Sequence, residues 1–214
     1  MFAPDLKAAV EKSRIIAVLV VDEAADAVPL AQALLAGGVQ IMELTLRTEA
    51  ALDALRRIVA EVPEMTAGVG TILTPDQVRA AHTAGAAFGV APGVNPRVLA
   101  AAREVGLSFA PGVATPSDIE QALEFECRLL KFFPAEPAGG LPYLKSMAAP
   151  YAHLELRYVP LGGISPANLS AYVGDSLIAA VGGSWLAPRE LIAAKDWAQI
   201  TERARNAVRL IESV

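Results

Sequence analysis

Residues 39–61 read VQIMELTLRTEAALDALRRIVAE, and this stretch combines two patterns that recur along the chain. The first part is a short, largely apolar run of the kind that forms buried strands, and the second is Ala-rich with apolar residues at helical spacing. Such pairs repeat about eight times, roughly 20 to 27 residues apart, with Gly or Pro at the joins. The predicted strands are Ile15 to Val20, Val39 to Leu46, Met65 to Val69, Ala87 to Ala91, Leu107 to Ala110, Arg128 to Phe133, Glu155 to Pro160 and Leu177 to Val181.

Helices are predicted between these strands. Four prolines each follow a Thr, Asn or Ser, the order expected of an N-cap and a first helical residue. They are Pro75, Pro96, Pro116 and Pro166. The helices predicted in full are Ala24 to Ala36, Glu49 to Glu61, Pro75 to Ala84 and Pro96 to Val105.

Strands that alternate with helices imply parallel strands joined by right-handed crossovers. About eight such units favour a compact α/β fold, a (β/α)8 TIM barrel, with residues 1–214 forming one domain. An open, doubly wound sheet is the alternative. It is less favoured because no GxGxxG follows the first strand, where a dinucleotide site would place it.

The composition limits the classes of ligand. With 54% hydrophobic and 19% charged residues the chain can bury a large core, and its net charge of -5 argues against nucleic acid and anionic membranes as partners. No apolar stretch approaches the roughly 18 residues of a membrane span, so a soluble, cytoplasmic protein is expected. The single cysteine, Cys127, indicates no redox role. A small molecule is the favoured ligand.

Lys131 ends an apolar run, and burial of a lysine disfavours its ammonium form. A neutral amine is able to attack a ketone and form a Schiff base. In an alternating strand Lys131 shares its side with Leu129 and Phe133, while Glu43 shares its side with Thr45 and Arg47. Both polar residues are therefore predicted to face the barrel interior at the carboxyl ends of strands, where active sites of such barrels lie. A lysine that reaches solvent, or a plain ion pair with Glu43, is the alternative.

Two further polar residues suit an anionic ligand. Arg47 carries a rigid, planar fork of donors that matches a carboxylate. Thr71 follows Gly68-Val69-Gly70, and its hydroxyl is predicted either to bind the same carboxylate or to begin the next helix.

Two glycine-rich loops follow the last two predicted strands. Gly162 and Gly163 come after the seventh, and Gly182, Gly183 and Ser184 come after the eighth. Barrels often hold a phosphate between these two loops, because glycine lets backbone N–H groups approach an anion. A pair of ordinary tight turns is the alternative. The two histidines, His82 and His153, have no metal-ligand spacing, so no metal site is predicted.

Five motifs taken together resemble those of the 2-keto-3-deoxy-6-phosphogluconate (KDPG) and 4-hydroxy-2-oxoglutarate (KHG) aldolases. They are ELTLRT at 43–48, GVGTIL at 68–73, KFFPAE at 131–136, GGISPAN at 162–168 and GGSWL at 182–186. The resemblance implies a class I aldolase without a cofactor, usually a homotrimer, whose substrate is a phosphorylated keto acid of the Entner-Doudoroff pathway. Cleavage would give pyruvate and glyceraldehyde 3-phosphate.

The resemblance also implies roles for single residues. Lys131 would form the Schiff base, Glu43 would act as general acid and base, and Arg47 with Thr71 would bind the pyruvate carboxylate. The residues implied at the phosphate are Gly162, Gly163, Gly183 and Ser184. The residues implied in the pocket wall are Pro92 and Phe133.

One position departs from the family pattern. Many of these aldolases have a threonine where this chain has Leu161, and the similar 2-keto-3-deoxy-6-phosphogalactonate aldolases have an apolar residue there. Arg47 favours the gluconate group, so the gluconate substrate is expected and the galactonate epimer is the alternative. The family also implies side activity on 4-hydroxy-2-oxoglutarate. A metal-dependent pyruvate aldolase and a phosphosugar-binding barrel without catalysis are the rival classes.

Overall fold

The computed structural model describes all 214 residues, which form alternating parallel strands and helices. The strands are β1 (Ile15–Leu19), β2 (Ile41–Thr45), β3 (Thr66–Gly70), β4 (Phe88–Val90), β5 (Ser108–Ala110), β6 (Gly112–Val113), β7 (Leu129–Phe132), β8 (Arg157–Pro160) and β9 (Val181–Gly183). The helices are α1 (Pro4–Ser13), α2 (Ala27–Ala36), α3 (Ala51–Glu61), α4 (Pro75–Thr83), α5 (Pro96–Val105), α6 (Pro116–Leu123), α7 (Gly140–Ala148), α8 (Leu169–Val173), α9 (Arg189–Ala193) and α10 (Trp197–Glu212). The α/β class is confirmed.

The strands lie in two parallel sheets and not in the single eight-stranded sheet that was predicted. Six strands pair in the order β5-β4-β3-β2-β1-β9, and three pair in the order β6-β7-β8. The predicted fifth strand is found as β5, but an unpredicted short strand, β6, follows it in the other sheet. Pro111 separates the two strands, and it has no backbone N–H to continue a ladder. At that point the Lys131 N–H donates to the Pro111 carbonyl at 2.9 Å. No ladder joins β8 to β9, and a single bridge pairs Tyr158 of β8 with Ile178, which lies before β9.

Two predictions near the carboxyl end are wrong in position. The last strand lies at Val181–Gly183 and not at 177–181, because Asp175 holds the preceding residues in a turn by accepting the Leu177 N–H at 3.0 Å. No helix begins at Pro166. The Asn168 side chain instead accepts the Ser165 N–H at 2.8 Å, and α8 begins at Leu169.

The other three predicted helix starts are confirmed. Thr74 and Thr115 each form a capping box, with Gln77 and Asp118 respectively, ahead of α4 and α6. Asn95 accepts the Arg97 N–H ahead of α5. These side chains bind amide groups that a helix leaves without partners in its first turn.

Two apolar clusters fix the strands from either side. The larger packs the sheets against the helices and includes Met42 and Leu44 of β2. The smaller lies on the opposite face of the strands, includes Ile41 and Leu129, and is covered at the amino ends of the strands by α1. Because α1 covers the amino ends, a ligand can reach this inner face only at the carboxyl ends. None of the helices has both the length and the apolar composition needed to cross a bilayer.

Candidate active site

A cavity of about 240 Å³ opens at the carboxyl ends of the strands. All of the residues that sequence reasoning placed in the site line it, except Gly163. The lining consists of Val18, Val20, Glu43, Thr45, Arg47, Thr71, Pro92, Lys131, Phe133, Leu161, Gly162, Gly182, Gly183 and Ser184. These residues lie within or shortly after different strands of both sheets, so the fold and not local sequence brings them together.

Lys131 and Glu43 face each other at the base of this cavity. The Lys131 Nζ lies 3.4 Å from the Glu43 Oε1, and the two side chains are only 8% and 3% exposed. The Phe133 ring lies 5.4 Å from the same Nζ. Burial of two charged groups is costly unless they are paired, so this arrangement ties the amine to the carboxylate.

The alternation of side chains explains why these two residues meet. In β2, Met42 and Leu44 belong to the larger apolar cluster, between the sheets and the helices. Ile41 belongs to the smaller cluster, on the opposite, inner face of the strands. Glu43 therefore points inward, as predicted from the parity of the strand. In β7, Leu129 joins the inner cluster, and Lys131 shares its parity.

Arg47 and Thr71 present polar groups at the wall of the cavity. Arg47 is exposed and its guanidinium takes part in none of the ion pairs of the chain. Thr71 lies directly after β3 with a φ of 60°, a left-handed conformation that is rare for threonine. Thr74 and not Thr71 caps the next helix, so the alternative role considered for Thr71 is wrong.

The two glycine-rich loops meet the cavity differently. Gly162 and Gly163 have φ values of 95° and 86°, and neither donates its N–H to a backbone carbonyl. Only Gly162 lines the cavity. A Cβ on Gly163 would lie 2.6 Å from the Glu136 Cβ, so Gly163 packs against the segment that follows β7. On the other loop, Gly183 and Ser184 both line the cavity.

Val18 and Val20 were not predicted to line the site, whereas Thr45, Leu161 and Gly182 were expected near it without a binding role. Val18 and Val20 belong to the first predicted strand, and their alternation with Ile16 would have indicated an inward position. Thr45 has the parity of Glu43, but its hydroxyl is used within the sheets, where it donates to the Leu19 carbonyl at 3.0 Å. Gly182 and Leu161 are the remaining residues of the cavity lining.

A second cavity of about 320 Å³ adjoins the first and shares Arg47 and Ser184 with it. At its rim the Arg189 Nε donates to the Asp22 Oδ2 at 2.6 Å, which joins the loop after β1 to α9. This hydrogen bond lowers the pKa of the Asp22 carboxyl below its ordinary value. The ion pair therefore links two loops beside the site entrance.

The geometry indicates the kind of ligand that the cavity fits. A buried amine next to a carboxylate can form an imine with a ketone and move protons around it. An unpaired guanidinium and a hydroxyl suit a carboxylate, while a glycine loop with available N–H groups suits a second anion. The cavity thus fits a keto acid that carries a further anionic group.

Comparisons with known proteins agree with this description. A family model described as KDPG and KHG aldolase matches residues 6–203. The 2-dehydro-3-deoxy-phosphogluconate aldolase of Treponema pallidum is 42% identical over 203 residues, covering 95% of this chain and 96% of the relative.

Two solved structures are similar throughout. The 2-keto-3-deoxy-6-phosphogluconate aldolase of Zymomonas mobilis ZM4, solved with 3-phosphoglycerate, is 39% identical with a TM-score of 0.88 and 96% coverage of both chains. The KDPG aldolase of Legionella pneumophila, solved with pyruvate captured as a covalent carbinolamine, is 37% identical with a TM-score of 0.89, covering 94% of this chain and 97% of the other. Matched along nearly its whole length in sequence and in fold, the chain belongs to the KDPG and KHG aldolase family.

Proposed function

We propose that this protein is a class I aldolase that cleaves 2-keto-3-deoxy-6-phosphogluconate to pyruvate and D-glyceraldehyde 3-phosphate. The observation that carries the proposal is the buried pair in which the Lys131 Nζ lies 3.4 Å from the Glu43 Oε1. The relative from Legionella pneumophila holds pyruvate as a covalent carbinolamine, the first intermediate of such chemistry.

The first stage forms the imine. Glu43 first takes a proton from the Lys131 ammonium, and the neutral amine attacks C2 of the substrate to give a carbinolamine. Glu43 then gives this proton to the departing hydroxyl, so that water leaves and an iminium remains. Arg47 and Thr71 bind the carboxylate next to C2 and hold the ketone over the amine. This bound geometry converts the attack into an effectively intramolecular step.

The second stage breaks the bond between C3 and C4. The C4 hydroxyl loses its proton to Glu43 and becomes the aldehyde, while the electron pair of the broken bond moves into the iminium and leaves an enamine. Glyceraldehyde 3-phosphate departs. Glu43 returns the proton to C3, and water then hydrolyses the iminium to release pyruvate and restore Lys131.

The phosphate of the substrate would lie at the far end of the cavity. Gly162, Gly183 and Ser184 line that part of it, and Gly163 supports the first loop from behind. The Zymomonas mobilis relative was solved with 3-phosphoglycerate, which is also a phosphorylated carboxylic acid. Pro92 and Phe133 would form the wall between the two anionic ends.

Several wider features belong to the same proposal. Residues 1–214 form a single domain, and the two sheets together make a (β/α)8 barrel. The hydrogen bond from Lys131 to Pro111 and the bridge between Tyr158 and Ile178 support it, because they lie where the two sheets adjoin. We also infer a cytoplasmic homotrimer of the Entner-Doudoroff pathway with side activity on 4-hydroxy-2-oxoglutarate.

Leu161 favours a second candidate substrate, the galactonate epimer. Its side chain is 7% exposed and puts an apolar surface at the cavity wall. An apolar side chain cannot hydrogen-bond the substrate hydroxyl that a threonine would contact. The gluconate substrate remains first because the relatives at 37–42% identity bear that name.

The test is borohydride reduction in the presence of pyruvate, followed by intact mass and peptide mapping. We expect one pyruvyl adduct on Lys131 in the wild type and in a Lys145→Ala control, because Lys145 lies outside the cavity. No adduct is expected in Lys131→Ala, which should also lose turnover. Turnover without an adduct that a chelator abolishes would instead establish a metal-dependent aldolase. Binding without turnover or adduct would establish a phosphosugar-binding protein.

A further inference from the structure

Gly70, the last residue of β3, lies directly against the Glu43 side chain. A Cβ built on Gly70 would lie 1.7 Å from the Glu43 Oε1, 2.4 Å from its Cδ and 2.7 Å from its Cγ. The carboxylate therefore occupies the space that any side chain at position 70 would take. Gly68, in the same strand, does not contact Glu43 in this way, because a Cβ on Gly68 would meet the Phe88 ring.

The backbone around Gly70 is fixed and leaves little room to move away. Thr45 pairs with Gly70 in the parallel ladder between β2 and β3, and the Leu46 N–H donates to the Gly70 carbonyl at 2.9 Å. After the turn, the Ile72 N–H donates to the Val90 carbonyl at 3.2 Å. Gly70 is not among the residues with positive φ, so its backbone conformation also suits alanine.

We propose that Gly70 is a positioning residue that sets the place of the Glu43 carboxylate beside the Lys131 amine. The proposal rests on the function proposed above, in which Glu43 moves protons. With the backbone fixed, a methyl group at position 70 would displace the carboxylate, the free end of a flexible side chain. Ordinary contact distances require a displacement of about 1.5 Å. Misplacement of a reacting group by about 1 Å can cost roughly 10²-fold in rate.

The test begins with Gly70→Ala. We expect its kcat to fall by about 10²-fold, with a circular dichroism spectrum close to that of the wild type, because the strand pairing on both sides of position 70 is kept. The matched control is Gly93→Ala, since a Cβ on Gly93 meets no atom within 4 Å. Its turnover should equal that of the wild type.

A second variant separates positioning from a general structural effect. In a Glu43→Ala background the side chain that collides with position 70 is gone. Adding Gly70→Ala to this background should therefore lower the rate by no more than about a further twofold. The readout is the rate at which borohydride traps the pyruvyl adduct on Lys131, because the Lys131 amine that forms this adduct is present in both backgrounds. An equal loss in both backgrounds would overturn the proposal, as would full activity in Gly70→Ala.

The two proposals fail in different ways. If the wild type gives no borohydride adduct with pyruvate, the proposed function is wrong. If the wild type gives the adduct and exchanges protons but Gly70→Ala does so at the same rate, only the inference about Gly70 is wrong.

Discussion

The Leu161 side chain packs against the bare Cα of Gly182, where a Cβ would lie 2.6 Å from the Leu161 Cγ. Both residues line the cavity, one after β8 and the other in β9. Gly182 thereby gives Leu161 a fixed place in the wall between the amine and the glycine loops. Under the proposed function, this wall would contact the part of the substrate in which the two epimers differ.

Leu161→Thr is expected to shift the preference towards the gluconate epimer. A threonine hydroxyl adds a hydrogen bond to the substrate chain, worth about 0.5–1.5 kcal/mol, or roughly two- to twelvefold in kcat/KM. The measurement is the ratio of kcat/KM for the gluconate and galactonate substrates. Leu161→Val, which shortens the side chain but keeps it apolar, is the control, and an equal shift in that variant would show that size and not hydrogen bonding decides.

Glu43→Gln is expected to slow turnover by roughly 10²-fold or more, because an amide keeps the shape of the side chain but cannot exchange protons as a carboxylate does. Steady-state rates with the phosphorylated substrate and deuterium exchange into pyruvate both measure this. Glu49→Gln, an exposed residue outside the cavity lining, is the control. Unchanged exchange in Glu43→Gln would assign proton transfer to another group.

Arg47→Ala is expected to raise the KM of the keto acid. A hydrogen bond to a charged group contributes about 1.5–3 kcal/mol, which corresponds to roughly 10- to 150-fold in binding. Because Arg47 forms no ion pair within the chain, stability should not change. Arg57→Ala, which removes an exposed arginine of α3, serves as the control. A fall in Tm without a change in KM would contradict the assigned role.

Thr74→Ala is expected to destabilise the fold by about 1 kcal/mol, because it removes the side chain that caps α4. Urea denaturation measures the change in the free energy of unfolding. Thr83→Ala, at the exposed end of the same helix, should be close to neutral. Equal effects in the two variants would mean that the capping box contributes little.

The pair formed by Asp22 and Arg189 predicts a dependence on pH. The folded pKa of Asp22 is lowered, so the pair stabilises the fold above the unfolded pKa of about 3.9 and this contribution is lost as pH falls through the folded pKa. The Asp22→Asn variant should therefore lose less stability than the wild type as the pH falls through that range. Thermal melts of the wild type and the variant from pH 2 to pH 6 measure it, and parallel curves would contradict it.

Sequence reasoning located those features that depend on neighbours along the chain. Parity within β2 and β7 was enough to place Glu43 and Lys131 on the inner face, and the Thr74 and Thr115 caps follow from local order. Features that depend on distant contacts were missed. The break at Pro111 and the position of Gly163 behind its loop follow from how separate segments pack.

Because the strands divide into two sheets, enzymatic activity would report whether the two sheets have assembled. Glu43 belongs to the six-stranded sheet and Lys131 to the three-stranded one, yet the Glu43 Oε1 and the Lys131 Nζ lie 3.4 Å apart. A chain cut in the loop after α6 would put the proposed proton carrier, Glu43, on one fragment and the proposed nucleophile, Lys131, on the other. Neither fragment alone holds a complete site, so turnover in a mixture counts the molecules in which both have joined.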